Sequence, residues 1–365
     1  MIRVPRSRWL LGALSVPMLA VIVTLLWWRG PDWNVVYHAF DLVNWAWIAF
    51  ALGLNLVSVL LRSVAWQLTI DQALDPPRPG FDKVFSGFAV GLLANAVLPG
   101  RIGELARVAV LRRHVPRGRG SSGALVGTVF AHRLFDLFPA LLLVAYVLAT
   151  AKIPHWAVTS LLLVAIIGGL LFTAAVVTAK RRHRPLDGAR PVRQLLAMAR
   201  QGLAVLRSPL PALGAIVFQC AGWLMQLFAV YVAMRAFDVH APLPAAGLVL
   251  LLMNVATIFP LWPGNVGLLQ AAVALPLVQY GVAYGTGFAY GIALQAVEMS
   301  VGVGVGLVML AREGLSFAAL KRMEEEEEES SAEDVLEELE EEAEAYDEEP
   351  IDADARLLTE GRSRR

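Results

Sequence analysis

Hydrophobic residues in this chain fall in long, nearly unbroken runs rather than in the one-sided patterns of soluble helices or strands. Residues 10–28 carry no charged side chain, and sparsely charged apolar runs follow at about 42–68, 122–149, 156–179, 211–234 and 284–310. About 20 apolar residues in a helix cross the hydrocarbon layer of a bilayer. Six transmembrane helices are therefore expected. The first run is read as a span rather than a cleaved leader. A leader's apolar core is normally about 7–15 residues long and ends in small residues, whereas this run ends in Trp27-Trp28-Arg29-Gly30.

Two further apolar stretches are interrupted. In residues 83–111 the break is Pro99-Gly100, where proline lacks the backbone donor and glycine weakens a helix. Each piece, 83–98 and 101–111, reaches roughly halfway across a bilayer. In residues 243–281 the pattern recurs. Pro263-Gly264-Asn265-Val266-Gly267-Leu268-Leu269 matches Pro99-Gly100-Arg101-Ile102-Gly103-Glu104-Leu105 in its proline, its two glycines and its leucine. Gly/Pro-interrupted segments in corresponding positions of two halves point to a transporter binding site. The predicted fold is all-α: a polytopic membrane protein with about six transmembrane helices plus two broken re-entrant helical hairpins. Three spans separate the hairpins, so they enter from opposite sides as an inverted repeat.

Charge sharpens this picture. Arg101, Glu104 and Arg107 follow the first break at i, i+3, i+6. Charge beside irregular backbone at membrane depth is expensive and is tolerated where it lines a cavity or is buried in protein. The competing reading is a surface loop with solvated charges. Arg133 and Asp136 share a helix face inside a span, either as a self-compensating pair or as lining groups. His132 is read as packing or meeting an interface rather than as a proton relay. Gln219 and Gln226, seven apart, suit hydrogen bonds between helices. Glu298, near the middle of the last span beside Gln295, is expected to face the interior or a wet cavity. Arg62 falls near the end of the second predicted span.

The chain has 365 residues, 57% of them hydrophobic, and a net charge of zero that hides an asymmetry. Residues 324–365 hold 20 Asp/Glu and four Arg, leaving the first 323 residues with 27 Lys/Arg against 11 Asp/Glu. Residues 1–320 are assigned to a polytopic membrane domain. Residues 321–365 are assigned to an acidic cytoplasmic tail, disordered or partly helical. Its thin stripe of Val335, Leu336, Leu339 and Ala343 leaves open a docking role toward a protein partner. With the N-terminus in the cytoplasm, the basic segments at 112–119 and 180–208 fall on the same side, as the positive-inside rule requires. A multi-pass protein of the cell inner membrane with both termini cytoplasmic is expected. The single cysteine, Cys220, excludes an intrachain disulfide or thiolate metal site. No phosphate-binding loop, zinc spacing or nucleophile elbow occurs, so no enzyme activity, cofactor or metal is expected. The basic loops reflect topology and anionic lipid rather than nucleic acid.

At the two broken elements the sequence resembles the membrane-domain family of lysylphosphatidylglycerol synthases. The residues that carry the resemblance are Asn95, LPGRIGELAR at 98–107, HRLFDL at 132–137 and PLWPGNVG at 260–267, within a region of roughly 10–312. The resemblance implies a domain that moves a lipid between leaflets. It implies no synthase chemistry, because only the acidic tail follows the membrane part. Three positions depart from the family pattern: Gln270 stands where glutamate is usual, Asn265 replaces a glycine, and Glu298 stands where arginine is usual. The charge preference of the synthases is therefore not carried over.

The expected function is transport of a polar, phosphate-bearing lipid, anionic or polyprenyl-phosphate in type. The expected binding residues are Asn95, Pro99, Gly100, Arg101, Gly103, Glu104, Arg107, Arg133, Asp136, Pro263, Gly264, Asn265, Gly267, Gln270 and Glu298. Arg101 and Arg133 would hold phosphate, and the carboxylates would balance them or take a cationic head or coupling ion. Backbone amides after the two breaks would offer further anion contacts. The rival is a non-transporting scaffold or accessory subunit for a lipid- or glycan-modifying enzyme.

Overall fold

Helices begin where the sequence supplies caps and end where it supplies breaks. The computed structural model describes residues 31–97, 103–115, 121–153, 208–258 and 265–316, with short pieces between 158 and 173. The described residues are helical, with no strand among them. Residues up to Glu313 form one compact unit and 314–365 another, of which 314–316 are described.

The first described helix, α1 (Trp33–Asp41), is capped by the Asp32 side chain, which accepts from Asn34 N at 2.9 Å. This helix was not among the elements expected from the sequence. Val36 and Ala39 are buried, giving the segment an apolar face against the bundle. Asn44 caps the long α2 (Trp45–Ala73) in the same way, accepting from Ala46 N at 3.1 Å. Then come α3 (Phe81–Val97), α4 (Gly103–Arg112) and α5 (Ser121–Thr150). After the undescribed stretch follow α6 (Pro209–Ala236), α7 (Leu243–Ile258), α8 (Leu268–Val278) and α9 (Tyr284–Arg312).

Among the described residues, four helices are long and apolar enough to cross a membrane: α2, α5 from Ala124, α6 and α9. They correspond to the runs expected at 42–68, 122–149, 211–234 and 284–310. The run expected at 10–28 lies outside the described residues, as does most of that at 156–179. So does the acidic tail.

The two interrupted elements each fold back on themselves. Gly91 lies against the Gly103 carbonyl and Gly87 against the Arg107 carbonyl, so α3 and α4 run antiparallel in close contact. A Cβ on Gly91 would come within 2.6 Å of the Gly103 oxygen, so the approach depends on the missing side chain. The outer ends of this hairpin meet at Glu313. Lys83 lies 3.7 Å from its carboxylate, His114 lies 3.3 Å from it, and Arg113 donates to its backbone oxygen at 3.1 Å. The second hairpin, α7 with α8, has its outer ends beside the far end of α5. Gly247 faces Val147 and Leu143, and the Tyr280 hydroxyl accepts from Lys152 N at 2.7 Å. The start of α5 packs with the first hairpin through Ala124 and Leu125. The hairpins therefore open toward opposite ends of α5.

Helix α9, 29 residues and about 43 Å long, joins the two. Gly287 and Gly291 receive Ala274 and Gln270 of α8, and Gly302 and Gly306 receive Leu92, Leu93 and Ala89 of α3. Small residues at four-residue spacing allow this close packing. Each hairpin has its own apolar core: Trp66, Phe88, Leu111 and Leu125 in one; Leu248, Leu252, Val273 and Tyr290 in the other. Glu298 lies on the stretch of α9 between the two glycine pairs.

Candidate functional site

A chain of polar contacts crosses this apolar interior. It begins at the first break, where the Asn95 side chain accepts from Gly103 N at 2.8 Å. The amide oxygen of α3 thus caps the start of α4 across the interruption. One residue on, Glu104 pairs with Arg133 of α5. Arg133 also reaches Asp136 on its own helix, at 3.5 Å.

Asp136 is the hub. It accepts from Arg62 Nη2 of α2 at 3.0 Å, from Trp223 Nε1 of α6 at 2.9 Å, and from the Gln219 amide. Its side chain is 13% exposed and that of Arg62 is 18% exposed, so the charges are largely removed from surrounding solvent. Pairing combined with neutral donors is what makes such burial tolerable. The missing Cβ of Gly222 makes room for the Arg62 stem, and Ser58 locks the same crossing by donating to the Gly222 carbonyl at 2.7 Å.

Down the same face of α6, Gln226 donates to Glu298 of α9 at 3.3 Å. One turn back on α9, Gln295 accepts from Gln270 of α8 at 2.5 Å. Gln270 in turn accepts from Gly267 N at 2.6 Å and caps its own helix. Gly267 has φ of 90° and Asn265 φ of 45°, both in the left-handed region. The Asn265 amide donates to Ala256 O at 3.1 Å, tying the second break to the end of α7.

Of the expected site residues, Glu104, Arg107, Arg133 and Asp136 come together in the first half, and Asn265, Gly267 and Gln270 in the second. Glu298 lies between them, joined to α6 through Gln226. Asn95 and Gly103 shape the first break. Pro99, Gly100, Arg101, Pro263 and Gly264 lie outside the described residues. The self-contained reading of Arg133 and Asp136 is refined, because each has its closer ionic partner on another helix. Glu104 is held by Arg133.

Arg62 and Trp223 belong to the site and were not among the expected residues. Arg62 had the needed signal, a charge inside an apolar run. Hydropathy ends the span near residue 68 and so places Arg62 near its end, whereas the helix continues to Ala73. Trp223 had none, since an apolar aromatic in a span ordinarily packs. His132 does pack, 5.6 Å from the Phe88 ring and edge-on to it.

These features define a polytopic helical membrane protein with a buried ionic cluster between two interrupted hairpins. The chain belongs to the lysylphosphatidylglycerol synthase TM region family, whose model matches residues 10–306. That membership ties it to lipid synthesis or transport in a membrane. No curated protein and no solved structure matches the chain.

Proposed function

We propose that the protein moves a polar, phosphate-bearing lipid between leaflets. The observation that carries this reading is the ionic line from Glu104 and Arg133 through Asp136 to Gln226 and Glu298, inside helices that are otherwise apolar. Intramembrane charges of this kind mark substrate pathways. In this reading the two hairpins are re-entrant and related by inverted topology, with their breaks near the bilayer midplane. The lipid head occupies the space beside the first break while the tails remain in the bilayer.

Arg133, with 45% of its side chain exposed, is the accessible cation of the line. It exchanges Glu104 for the phosphate as the head enters, and Arg101 adds a second fork from the break itself. Guanidinium groups suit this exchange because their paired donors match both carboxylate and phosphate. Both termini are cytoplasmic and the membrane is the cell inner membrane.

The test is reconstitution of the full chain into liposomes with fluorescent phosphatidylglycerol or a labelled polyprenyl phosphate in one leaflet. Label should reach the other leaflet faster than in protein-free liposomes, and Arg133→Ala should lower that rate at least about tenfold, the scale of one charge-assisted contact. Rates equal to those of empty liposomes for every lipid would overturn the reading.

A further inference from the structure

Arg107 sits in the same cluster but, among the described residues, is not one of its ion pairs. Its side chain is fully enclosed, with 2% of the residue exposed. Arg62 pairs with Asp136 and Arg133 with Glu104, but among the described residues no carboxylate lies within ion-pair distance of Arg107. Among the described residues its Nε and Nη1 atoms have no hydrogen-bond partner. The guanidinium lies 4.0 Å over the Phe88 ring and 5.7 Å from that of Trp66. Aromatic faces attract a cation, yet they do not satisfy N–H donors, and a buried guanidinium left with unmet donors is costly.

The same two rings hold a second group of this kind. His132 is 1% exposed and lies 5.6 Å from Phe88 and 6.5 Å from Trp66. Neither of its ring nitrogens has a hydrogen-bond partner among the described residues. The Trp66 indole is already committed to Thr128 Oγ1 at 3.2 Å and supplies no acceptor. The described residues therefore place around the Phe88 and Trp66 rings both a guanidinium with two unmet positions and an imidazole with unmet ring nitrogens. Gly91 has no side chain where one would come within 2.7 Å of Arg107 Nε, so the backbone itself leaves that donor clear.

We propose that Arg107 and His132 form a buried oxyanion site that takes a phosphate group, either on a lipid head or as free phosphate. Oxygen acceptors would satisfy the guanidinium in the forked geometry that phosphate offers, and the neutral imidazole would donate one further bond. Arg107 lies on α4, one turn beyond Glu104, and His132 lies on α5 next to Arg133. The site rests on the lipid-transport reading only for the identity of the bound molecule. A phosphate released from the accessible Arg133 would reach it as a deeper station of the same path.

The test uses the purified full chain in detergent. Inorganic phosphate, short-chain phosphatidylglycerol and phosphate-free diacylglycerol are each titrated while thermal unfolding is followed. Both phosphate probes should raise the unfolding temperature and diacylglycerol should not. Arg107→Gln should weaken phosphate binding about tenfold to hundredfold, the scale of a charge-assisted hydrogen bond. Arg107→Lys should bind at an intermediate level, because charge is kept and the fork is lost. His132→Phe should weaken binding by a smaller factor. Stabilisation by phosphatidylglycerol alone assigns the site to lipid heads; stabilisation by phosphate that phosphatidylglycerol displaces assigns both. Unchanged phosphate affinity in Arg107→Gln, or in Arg107→Lys with His132→Phe where the first variant does not fold, overturns the site. Arg107-dependent binding without lipid movement in liposomes keeps the site and removes the transport reading. Full lipid movement by Arg107→Gln does the reverse.

Discussion

Asp136 is where a single atom exchange separates the structural roles of the charges. Replacing it by asparagine keeps the side-chain volume and one oxygen acceptor but removes the charge. Four donors meet the carboxylate: Arg62 at 3.0 Å, Trp223 at 2.9 Å, Gln219, and Arg133 at 3.5 Å. Arg133 keeps Glu104 after the change, so it loses little. Arg62 does not have that resource, for its Nε already lacks a partner and its side chain is 18% exposed. Stranding one member of a buried ion pair costs about 3–5 kcal/mol. Asp136→Asn should therefore destabilise the protein by about that amount. Arg62→Met should cost less, because Asp136 retains the indole, the amide and Arg133. The double variant should recover part of the loss, with a coupling of about 1–3 kcal/mol. Chemical or thermal unfolding of the detergent-purified variants reads all three. Stability of Asp136→Asn within about 0.5 kcal/mol of the parent, or a larger loss for Arg62→Met, would refute the account of Asp136 as the hub.

Two other outcomes are expected. Gly91→Ala should destabilise the chain by about 1–3 kcal/mol through overpacking, since its Cβ would meet the Arg107 stem and the Gly103 carbonyl. Gly53→Ala, with no atom within 4 Å of its Cβ, should be neutral or stabilising by up to about 1 kcal/mol, and equal effects at the two sites in the same unfolding assay would contradict the close-approach argument. For topology, a cysteine placed at Arg190 in a chain with Cys220 replaced should resist impermeant thiol reagents in intact cells, because the dense Lys/Arg clusters belong in the cytoplasm; labelling from outside would reverse the map.

The membrane class, four of the spans and both helix breaks were legible because they depend on local sequence. An apolar run of fixed length needs a helix to satisfy its backbone in lipid, and Pro-Gly interrupts one wherever it lies. Helix ends were less legible. Hydropathy marks where the membrane stops, while α2 continues through Gln67, Asp71 and Gln72 because nothing breaks it before Pro76. The short α1 was hidden by its charges, although Asp32 is a good cap. Pairing in the site was least legible. The spacing of Arg133 and Asp136 shows a shared face, but Glu104 lies 29 residues from Arg133, and Arg62 lies 74 residues from Asp136. Those choices are made by the crossing of α2 with α6 and by the packing of the first hairpin on α5. Neither crossing leaves a periodic mark in the chain.

The two halves of the bundle are built alike in backbone and differently in chemistry. Both hairpins pack on glycine pairs of α9, and both have a side chain that caps the helix after the break: Asn95 across the gap in the first, Gln270 within its own helix in the second. The first hairpin is then fastened to α5 by the ion pair of Glu104 with Arg133, and the second to α9 by the neutral amide contact of Gln270 with Gln295. Under the transport reading an ionic head group would compete directly with the first fastening, because phosphate can accept from the Arg133 guanidinium as the Glu104 carboxylate does. It has no comparable purchase on an amide pair. Under the transport reading, substrate charge therefore acts on the hairpin that carries Glu104 and Arg107, and the second hairpin responds through α9. Glu298, on the stretch of α9 between the glycine pairs and held by Gln226, is where movement of one end would reach the other. Were residue 270 a glutamate, both hairpins would carry an ionic group, and this asymmetry would be lost.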